Sequence, residues 1–215
     1  MTEASISATM SPKRLKVVER ARTEPEGRFH SLAHLIDVPA LERTFRRARK
    51  DAAVGVDGVT KEAYGEVLEG NLADLHERMK SKRYRHQPIR RVHIPKGLGK
   101  TRPIGVSTFE DKLVQDAVRE VLEAIYEQDF LDCSHGFRPG RRAHDAVRTL
   151  DGIVHRNQVN WIIEADIVSF FDSLDRAELK KMLEIRVADG LLLRLIGKCL
   201  RGCPGRGRII ANVRV

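Results

Sequence analysis

The sequence is poor in cysteine and in aromatic residues, and it contains no long apolar run. Three cysteines in 215 residues are too few for the disulfide framework of a small secreted domain. Cys199 and Cys203 could form half of a metal site, but no second pair and no nearby histidine completes it. No stretch approaches the roughly 20 apolar residues of a membrane helix, and no apolar segment marks a secretory signal. We therefore expect reduced thiols, no membrane partner and a cytoplasmic protein.

Positive charge is what the sequence has in excess. Lys and Arg number 39 against 30 Asp and Glu, which leaves a net charge of +9. Hydrophobic residues make up 41% of the chain, an ordinary proportion for a globular protein. A basic surplus of this size favours a polyanionic partner, above all a nucleic acid, because phosphate contacts release counterions. A solvated basic surface with no partner is the plain alternative.

Hydrophobic periodicity predicts a mostly helical chain. Residues 1–28 are polar and short of large apolar side chains, so we expect a mobile basic N-terminal arm and ordered structure from about Phe29. Apolar residues recur at helical spacing within 30–50 and again after Thr60, which can cap a helix. The clearest helical period covers 110–131, and further helices are predicted to begin near residues 143, 175 and 191.

The basic stretch 82–102 is predicted to form a β-hairpin. It holds eight Lys or Arg and no acid, and its apolar residues alternate with polar ones before Pro95. Lys96, Lys100 and Arg102 surround two glycines, an arrangement in which cations and backbone N–H groups can reach a triphosphate or a backbone phosphate. The spacing is not that of a Walker A motif. A solvated basic hairpin is the alternative interpretation.

Residues 159–168 are predicted to form an apolar strand that carries one acid near its end. Asp166 could hold a divalent metal there, since phosphoryl transfer uses carboxylates to bind two metal ions. An isolated charge on an edge strand explains Asp166 equally well. For Asp172 and Asp175 the simpler role is to cap the following helix.

Three arginines lie close together in residues 134–146, at the predicted start of a helix. Cations at that end oppose the helix dipole. The cluster of Arg138, Arg141 and Arg142 therefore suggests an anion between them.

Taken together and in order, these segments resemble conserved blocks of group II intron reverse transcriptases. The resemblance spans about residues 30–200 and includes GVDGVT near residue 55 and the basic run RYRHQPIRRV. Its four main blocks read IPKGLGKTRPIGV, DKLVQDAV, FLDCSHGFRPGRRAHDAV and ADIVSFFDSLD.

The resemblance implies an α+β right-hand polymerase fold, here a helix-rich fingers–palm fragment with a basic β-hairpin and a partial palm sheet. Residues 29–155 would be mostly fingers, 156–200 the start of the palm, and 201–215 a divergent tail.

The resemblance also implies the reaction and its partners. The reaction would be RNA-templated DNA synthesis with two Mg²⁺ ions, with RNA template, DNA primer, dNTP and intron RNA as partners. Asp166 would be the first catalytic aspartate and would bind both metals, and the backbone carbonyl of Ile167 would be a further metal ligand. Phe171 would lie under the incoming sugar. Lys96 and Arg102 would grip the triphosphate.

The sequence departs from the family pattern after about residue 201. It reads CLRGCPGRGRIIANVRV, without the glycine-rich primer block or the YADD-like hairpin that the resemblance would place there. One carboxylate cannot hold two metals, so we expect a truncated form without independent polymerase activity, as a frameshifted or shortened gene would produce. An RNA-binding, non-catalytic fragment is one alternative, and a retron or CRISPR-associated reverse transcriptase is another.

Overall fold

A computed structural model describes residues 10–202 of the chain except residues 98, 158 and 169, and leaves out the side chains of residues 172 and 202. Within this part the protein is helix-rich, with one two-stranded antiparallel sheet, as the α+β prediction required. Most of the tail expected at 201–215, including Cys203, lies outside the described residues. The described helices are α1 Pro12–Thr23, α2 Val38–Arg47, α3 Lys61–Gly65, α4 Leu68–Lys80, α5 Phe109–Tyr126, α6 Ala143–Arg156, α7 Phe170–Ser173, α8 Arg176–Arg186 and α9 Gly190–Gly202; the strands are β1 Arg90–Gly97 and β2 Lys100–Val106.

The chain divides into two compact units that are discontinuous in sequence. The first unit lies within Met1–Gly27 and Glu123–Ser173, and the second within Arg28–Leu122 and Leu174–Val215. Helix α5 begins in the second unit and ends in the first.

The second unit has an apolar core drawn from both of its segments. Leu32, Leu41, Leu75 and Leu113 are fully buried, and so is Leu192 from the later segment. Each buried leucine contributes about 1.5–3 kcal/mol. The two segments therefore fold together into one core.

Aromatic packing and a backbone bridge reinforce this core. The rings of Phe45, Tyr64 and Phe109 form a cluster with centroids 5.2–6.4 Å apart. The N–H of Phe29 donates to the carbonyl of Arg186 over 2.8 Å, and the carbonyl of Phe29 accepts from Ala188 over 2.8 Å.

Asp189 provides a polar junction between the same two segments. One of its carboxylate oxygens accepts from the N–H groups of Leu32 and Ala33 at 2.6 and 2.8 Å. The other caps α9 by accepting from Leu191 and Leu192 at 2.8 and 3.1 Å. Burial alone would raise the pKa of Asp189, but these four hydrogen bonds lower it overall. The carboxylate thus stays charged where it holds two chain segments together.

Two predicted helix caps are confirmed. Thr60 accepts a hydrogen bond from Ala63 and opens α3, and Asp175 accepts from Ala177 and Glu178 and opens α8. The helix expected to run on from Thr60 is instead two helices, because α3 ends at Gly65 and α4 begins only at Leu68. The long helix predicted over 110–131 is α5, which ends earlier, at Tyr126.

In the first unit, residues 12–23 form a helix, contrary to the irregular arm expected there. Ser11 caps α1 by accepting from Arg14 over 3.4 Å, and Pro12 occupies the first turn, where its missing N–H costs nothing. Arg14 and Ala21 are buried. Ordered structure therefore begins well before Phe29, and residues 1–9 of the expected arm lie outside the described residues.

The prediction of a strand over 159–168 is wrong for the described structure. Residues 159–167 have no regular secondary structure, and Trp161 and Ile163 are 89% and 92% exposed. A strand exists only if a neighbouring strand takes up its backbone hydrogen bonds. The described part of the chain contains no ladder besides β1–β2 and one short bridge between Phe29 and Val187, so the expected partial palm sheet is absent from it.

Candidate nucleic-acid interface

The β1–β2 hairpin ends in a glycine turn that carries exposed cations. Its register pairs Val92 with Ile104 and Ile94 with Arg102, so these residues share one face of the ribbon. The register shifts between Pro95 and Gly97, which places Lys96 at an irregularity in β1.

Gly97 and Gly99 make this turn possible. Their φ angles are +86° and +71°, a conformation that other residues adopt only with strain. The predicted glycine loop between two strands is therefore confirmed.

Three cations at this end of the hairpin, Lys96, Lys100 and Arg102, form what we call the hairpin tip. All three are exposed. Within the described residues none of them forms an ion pair or a side-chain hydrogen bond. Lys96 and Arg102 were predicted to act together, and the structure does place them on the same hairpin. Their charges are available to an anion from solution.

Cations at the base of the hairpin have a different role. Arg90 donates from Nε to the carbonyl of Val54 over 2.9 Å, and Lys112 donates from Nζ to the carbonyl of Ala53. Burial lowers the pKa of Lys112. Gly55 lies so close to the chain that an added Cβ would stand 2.5 Å from the Cα of Thr108. Arg90 and Lys112 therefore fix the loop containing GVDGVT to the hairpin base.

A buried network supports the same region from the start of α5. Asp111 accepts from the Tyr84 hydroxyl at 2.5 Å, from the Gln87 N–H at 3.0 Å and from the Thr108 hydroxyl at 2.7 Å. Burial and the neighbouring Asp111 carboxylate raise the pKa of Tyr84, so its hydroxyl remains a donor. The network holds the residues on both sides of the hairpin in fixed positions.

An open depression of about 410 Å³ lies beside this anchored loop. Of its lining residues, Arg49, Asp51 and Lys112 contribute charge, and Ser107 and Gln115 contribute hydrogen-bonding groups. Gln115, which lies in one of the resembling blocks, donates towards Ser107 Oγ over 3.2 Å.

Two arginines of the cluster at residues 138–142 are satisfied by the protein itself. Arg138 is buried, donates from Nε and Nη2 to Glu127 at 3.0 and 2.8 Å, and donates from Nη1 to the carbonyls of Leu131 and Ser134. Arg141 pairs with Asp132 at 3.1 Å. The anions beside these two arginines are thus Glu127 and Asp132, and neither arginine needs an external anion. Arg142 is exposed, and its backbone N–H donates to Asp145.

The predicted catalytic residues lie in the first unit, in and just after the irregular segment 159–167. Asp166 is exposed, the side chain of Ile167 is 65% exposed, and Phe171 lies on α7 with its ring 5.3 Å from that of Phe170. Among the described residues no group of three or more His, Cys, Asp or Glu side chains could hold a metal ion. A single carboxylate does not fit a two-magnesium centre, so these residues by themselves account for no catalytic step.

Sequence reasoning missed the anchoring residues Tyr84 and Asp111. A signal was present, because Thr108 and Asp111 have the spacing of a capping box, and Asp111 donates its N–H to the Thr108 hydroxyl over 3.3 Å. That Asp111 also accepts from Tyr84, 27 positions earlier, could not be read from local spacing.

Two further expectations concern the membrane and the thiols. Among the helices that the structure describes, none combines the length and the apolar character that a membrane crossing needs. Neither Cys133 nor Cys199 forms a disulfide with another described residue.

Comparison with known proteins identifies a family for these features. The family described as reverse transcriptase (RNA-dependent DNA polymerase) matches residues 94–213. Protein YkfC of Escherichia coli is 33% identical over 199 residues, which is 89% of this chain and 52% of that protein. The group II intron-encoded protein LtrA of Lactococcus lactis is 37% identical over 145 residues, 67% of this chain and 24% of that protein. A 91 kDa protein in the cob intron of Schizosaccharomyces pombe is 38% identical over 139 residues, 63% of this chain and 17% of that protein.

The chain thus spans about half the length of the first relative and about a quarter of the second. The hairpin from Ile94 onwards, α5 and Asp166 all fall within the residues that the family matches.

Proposed function

The chain belongs to the reverse transcriptase family, in its group II intron-encoded branch, and from that premise we propose that it binds RNA through the hairpin tip. The whole protein would be an RNA-directed DNA polymerase and intron maturase in the cytoplasm. Residues 29–155 would supply most of the fingers and 156–200 the start of the palm of a right-hand polymerase.

The observation that carries this proposal is the lack of any internal partner for the hairpin tip among the described residues. Other exposed cations of the same unit do have acidic partners; Arg46, for example, pairs with Glu42 at 2.5 Å. The hairpin tip instead presents three positive charges around a turn whose positive φ angles are allowed by two glycines. Phosphate groups are the ligands that such an arrangement suits, because lysine and arginine donate charge-assisted hydrogen bonds to them.

The same cations would bind two kinds of ligand that both present phosphate groups. Lys96 and Arg102 would grip the triphosphate of an incoming dNTP in the complete enzyme, and the hairpin tip as a whole would contact the phosphates of template or intron RNA. Both ligands present phosphate oxygens, so the site needs charge rather than base-specific contacts.

We further propose that Asp166 and the carbonyl of Ile167 are metal ligands and that Phe171 lies under the sugar of the nucleotide. Mg²⁺, bound with additional carboxylates, would activate the primer hydroxyl and stabilise the leaving phosphate. Among the described residues no group of three His, Cys, Asp or Glu side chains forms around Asp166. We therefore expect no primer extension by the 215-residue chain alone, and the function that it can perform on its own is RNA binding.

A salt titration tests the binding proposal. We expect the variant Lys96→Gln/Lys100→Gln/Arg102→Gln to bind a fluorescein-labelled RNA stem-loop more weakly. The slope of log Kd against log salt should fall by about 2 to 3, because each lost phosphate contact removes roughly 0.7–0.9 from it. Fluorescence anisotropy measures both quantities.

The matched control removes three exposed cations that already have acidic partners. Arg46, Lys180 and Lys181 pair with Glu42, Glu184 and Glu178. Changing all three to Gln lowers the net charge by the same amount and should alter the slope by less than about 1. If both triple variants have equal slopes, the hairpin tip is not the RNA-binding surface.

A non-catalytic RNA-binding protein is the second candidate function. It is favoured because the described residues contain no group of three side chains that could hold a metal ion. Primer extension on an RNA template with Mg²⁺ separates the two. Template-dependent synthesis that disappears in Asp166→Ala would exclude the non-catalytic function and would show that this chain carries a complete active site.

A further inference from the structure

Helix α9 carries a second row of cations. Arg194, Lys198 and Arg201 are spaced by four and three residues, which places them on one face of the helix. No acid occurs between Gly190 and Gly202. The row therefore has no carboxylate partner within its own helix.

Lys198 joins this helix to the loop that precedes the hairpin. Its Nζ donates to the carbonyl of Lys82 over 2.7 Å and also to the carbonyl of Tyr84, and it stands 5.9 Å from the centre of the Tyr84 ring. Residues 81–89 also lack acids. The contact therefore brings the exposed Arg85 next to the row on α9 without neutralising any charge.

The electrostatics of Lys198 reflect this crowding of positive charge. Burial lowers the pKa of Lys198, and the guanidinium groups of Arg194, Arg201 and Arg85 lower it further. Among the described residues these three arginines form no ion pair and no side-chain hydrogen bond. Like charges held together in this way destabilise the folded protein, and a bound anion would relieve the repulsion.

We propose that Arg85, Arg194, Lys198 and Arg201, named the α9 basic face, form a second RNA-binding surface that contacts the phosphate backbone of the RNA bound at the hairpin tip. The proposal rests on the RNA partner proposed above and adds a second place of contact. RNA is favoured over an acidic protein segment because three of the four cations are arginines, whose planar donor groups match phosphate oxygens. The chain's net charge of +9 would also attract a polyanionic ligand that contacts both surfaces.

The test removes the three arginines and keeps Lys198, which holds the loop in place. We expect Arg85→Gln/Arg194→Gln/Arg201→Gln to lower the salt slope for the RNA stem-loop by about 2. Arg85→Lys/Arg194→Lys/Arg201→Lys keeps the charge and should keep most of the slope. The paired-cation control, with Arg46, Lys180 and Lys181 changed to Gln, should stay close to the unchanged chain.

Comparison with the hairpin-tip variant separates the two proposals. If the hairpin-tip variant lowers the slope and the α9 variant matches the control, RNA binding stands and the α9 basic face is excluded. If neither variant lowers the slope, both proposals fail. Poly-glutamate serves as the probe for an acidic protein. If the α9 variant no longer binds poly-glutamate but keeps the salt slope of the unchanged chain for RNA, the assignment of RNA to this surface is overturned.

Chemical protection gives a test that needs no substitution. Phenylglyoxal labels accessible arginines, and mass spectrometry reads each site in the unchanged chain with and without RNA. We expect RNA to protect Arg85, Arg194 and Arg201 and to leave Arg46 labelled. Equal labelling of the three arginines in both states would contradict the proposal, even if the glutamine variant failed to fold.

Discussion

Arg138 shows how a cation that looks free in the sequence can be part of the core. Its guanidinium donates to one carboxylate and to two backbone carbonyls, and its side chain is almost fully buried. Its guanidinium also lies over Phe130, with 5.1 Å between the guanidinium carbon and the ring centre. The residue therefore acts within its own unit and is not available to a ligand.

Removing Arg138 should consequently reduce stability. We expect Arg138→Ala to lower the free energy of unfolding by about 3 kcal/mol, because Glu127 would lose the partner of a largely buried ion pair. Urea denaturation followed by circular dichroism measures the change. Arg148→Ala is the control, since Arg148 is 80% exposed and its contact with Asp145 is 3.5 Å long, and its cost should be below about 0.5 kcal/mol. Equal costs for the two variants would show that the Arg138 contacts do not stabilise the first unit.

At this scale the sequence identifies some functional residues and conceals others. Lys96 and Arg102 could be predicted to lie together because a glycine turn between two short strands fixes their neighbourhood locally. Arg138 could not be distinguished from them, because its partner Glu127 lies in the turn after α5, 11 residues earlier, and how the two segments approach each other depends on tertiary packing. The charge of a residue can be read from the sequence, but whether that charge is already neutralised cannot.

Several secondary-structure elements of this protein are determined by short-range sequence features, namely the spacing of apolar residues, helix caps and turn glycines. Helix α5 was predictable because its apolar residues recur at helical spacing over many turns, and α8 because Asp175 caps it. The hairpin was predictable because alternation and glycines coincide. The break between α3 and α4 was not, since Glu66 and Val67 continue a helical pattern in the sequence.

The structure of segment 159–167 could not be predicted from its local sequence pattern. Its alternation is typical of a strand, but a strand also needs a partner, and none is present in the described part of the chain. Strand pairing is decided by residues distant in sequence, which local periodicity does not report.

Hydrogen exchange can test this description of the elements. We expect rapid exchange of the backbone amides of 159–167, which have no described secondary structure, and slow exchange in α5, whose apolar face is buried. Helix α9 should also exchange slowly, since Leu192 and Ile196 are buried. Protection of 159–167 as strong as that of α5 in a monomeric sample would mean that the segment is paired after all.

For the whole molecule, the distribution of charge matters more than its total. The excess of Lys and Arg lies in the second unit, whose two segments hold 29 Lys or Arg against 17 Asp or Glu, whereas the segments of the first hold 10 against 13. In both units several cations have internal partners: Arg90 and Lys112 hold a loop, and Arg138 and Arg141 hold a turn. Within the described residues, no cation of the hairpin tip or of the α9 basic face forms an ion pair with an acid. Under the binding proposals above, RNA is the ligand of both surfaces.

If RNA lies against the hairpin tip, as proposed, crosslinking detects the contact directly. An RNA stem-loop containing 4-thiouridine is bound to the unchanged 215-residue chain, irradiated and digested, and the crosslinked peptides are identified by mass spectrometry. We predict crosslinks in peptides that cover residues 90–106, and their loss in the variant Lys96→Gln/Lys100→Gln/Arg102→Gln. Crosslinks confined to α6 or to the segment 159–167, with none in the hairpin, would contradict the claim.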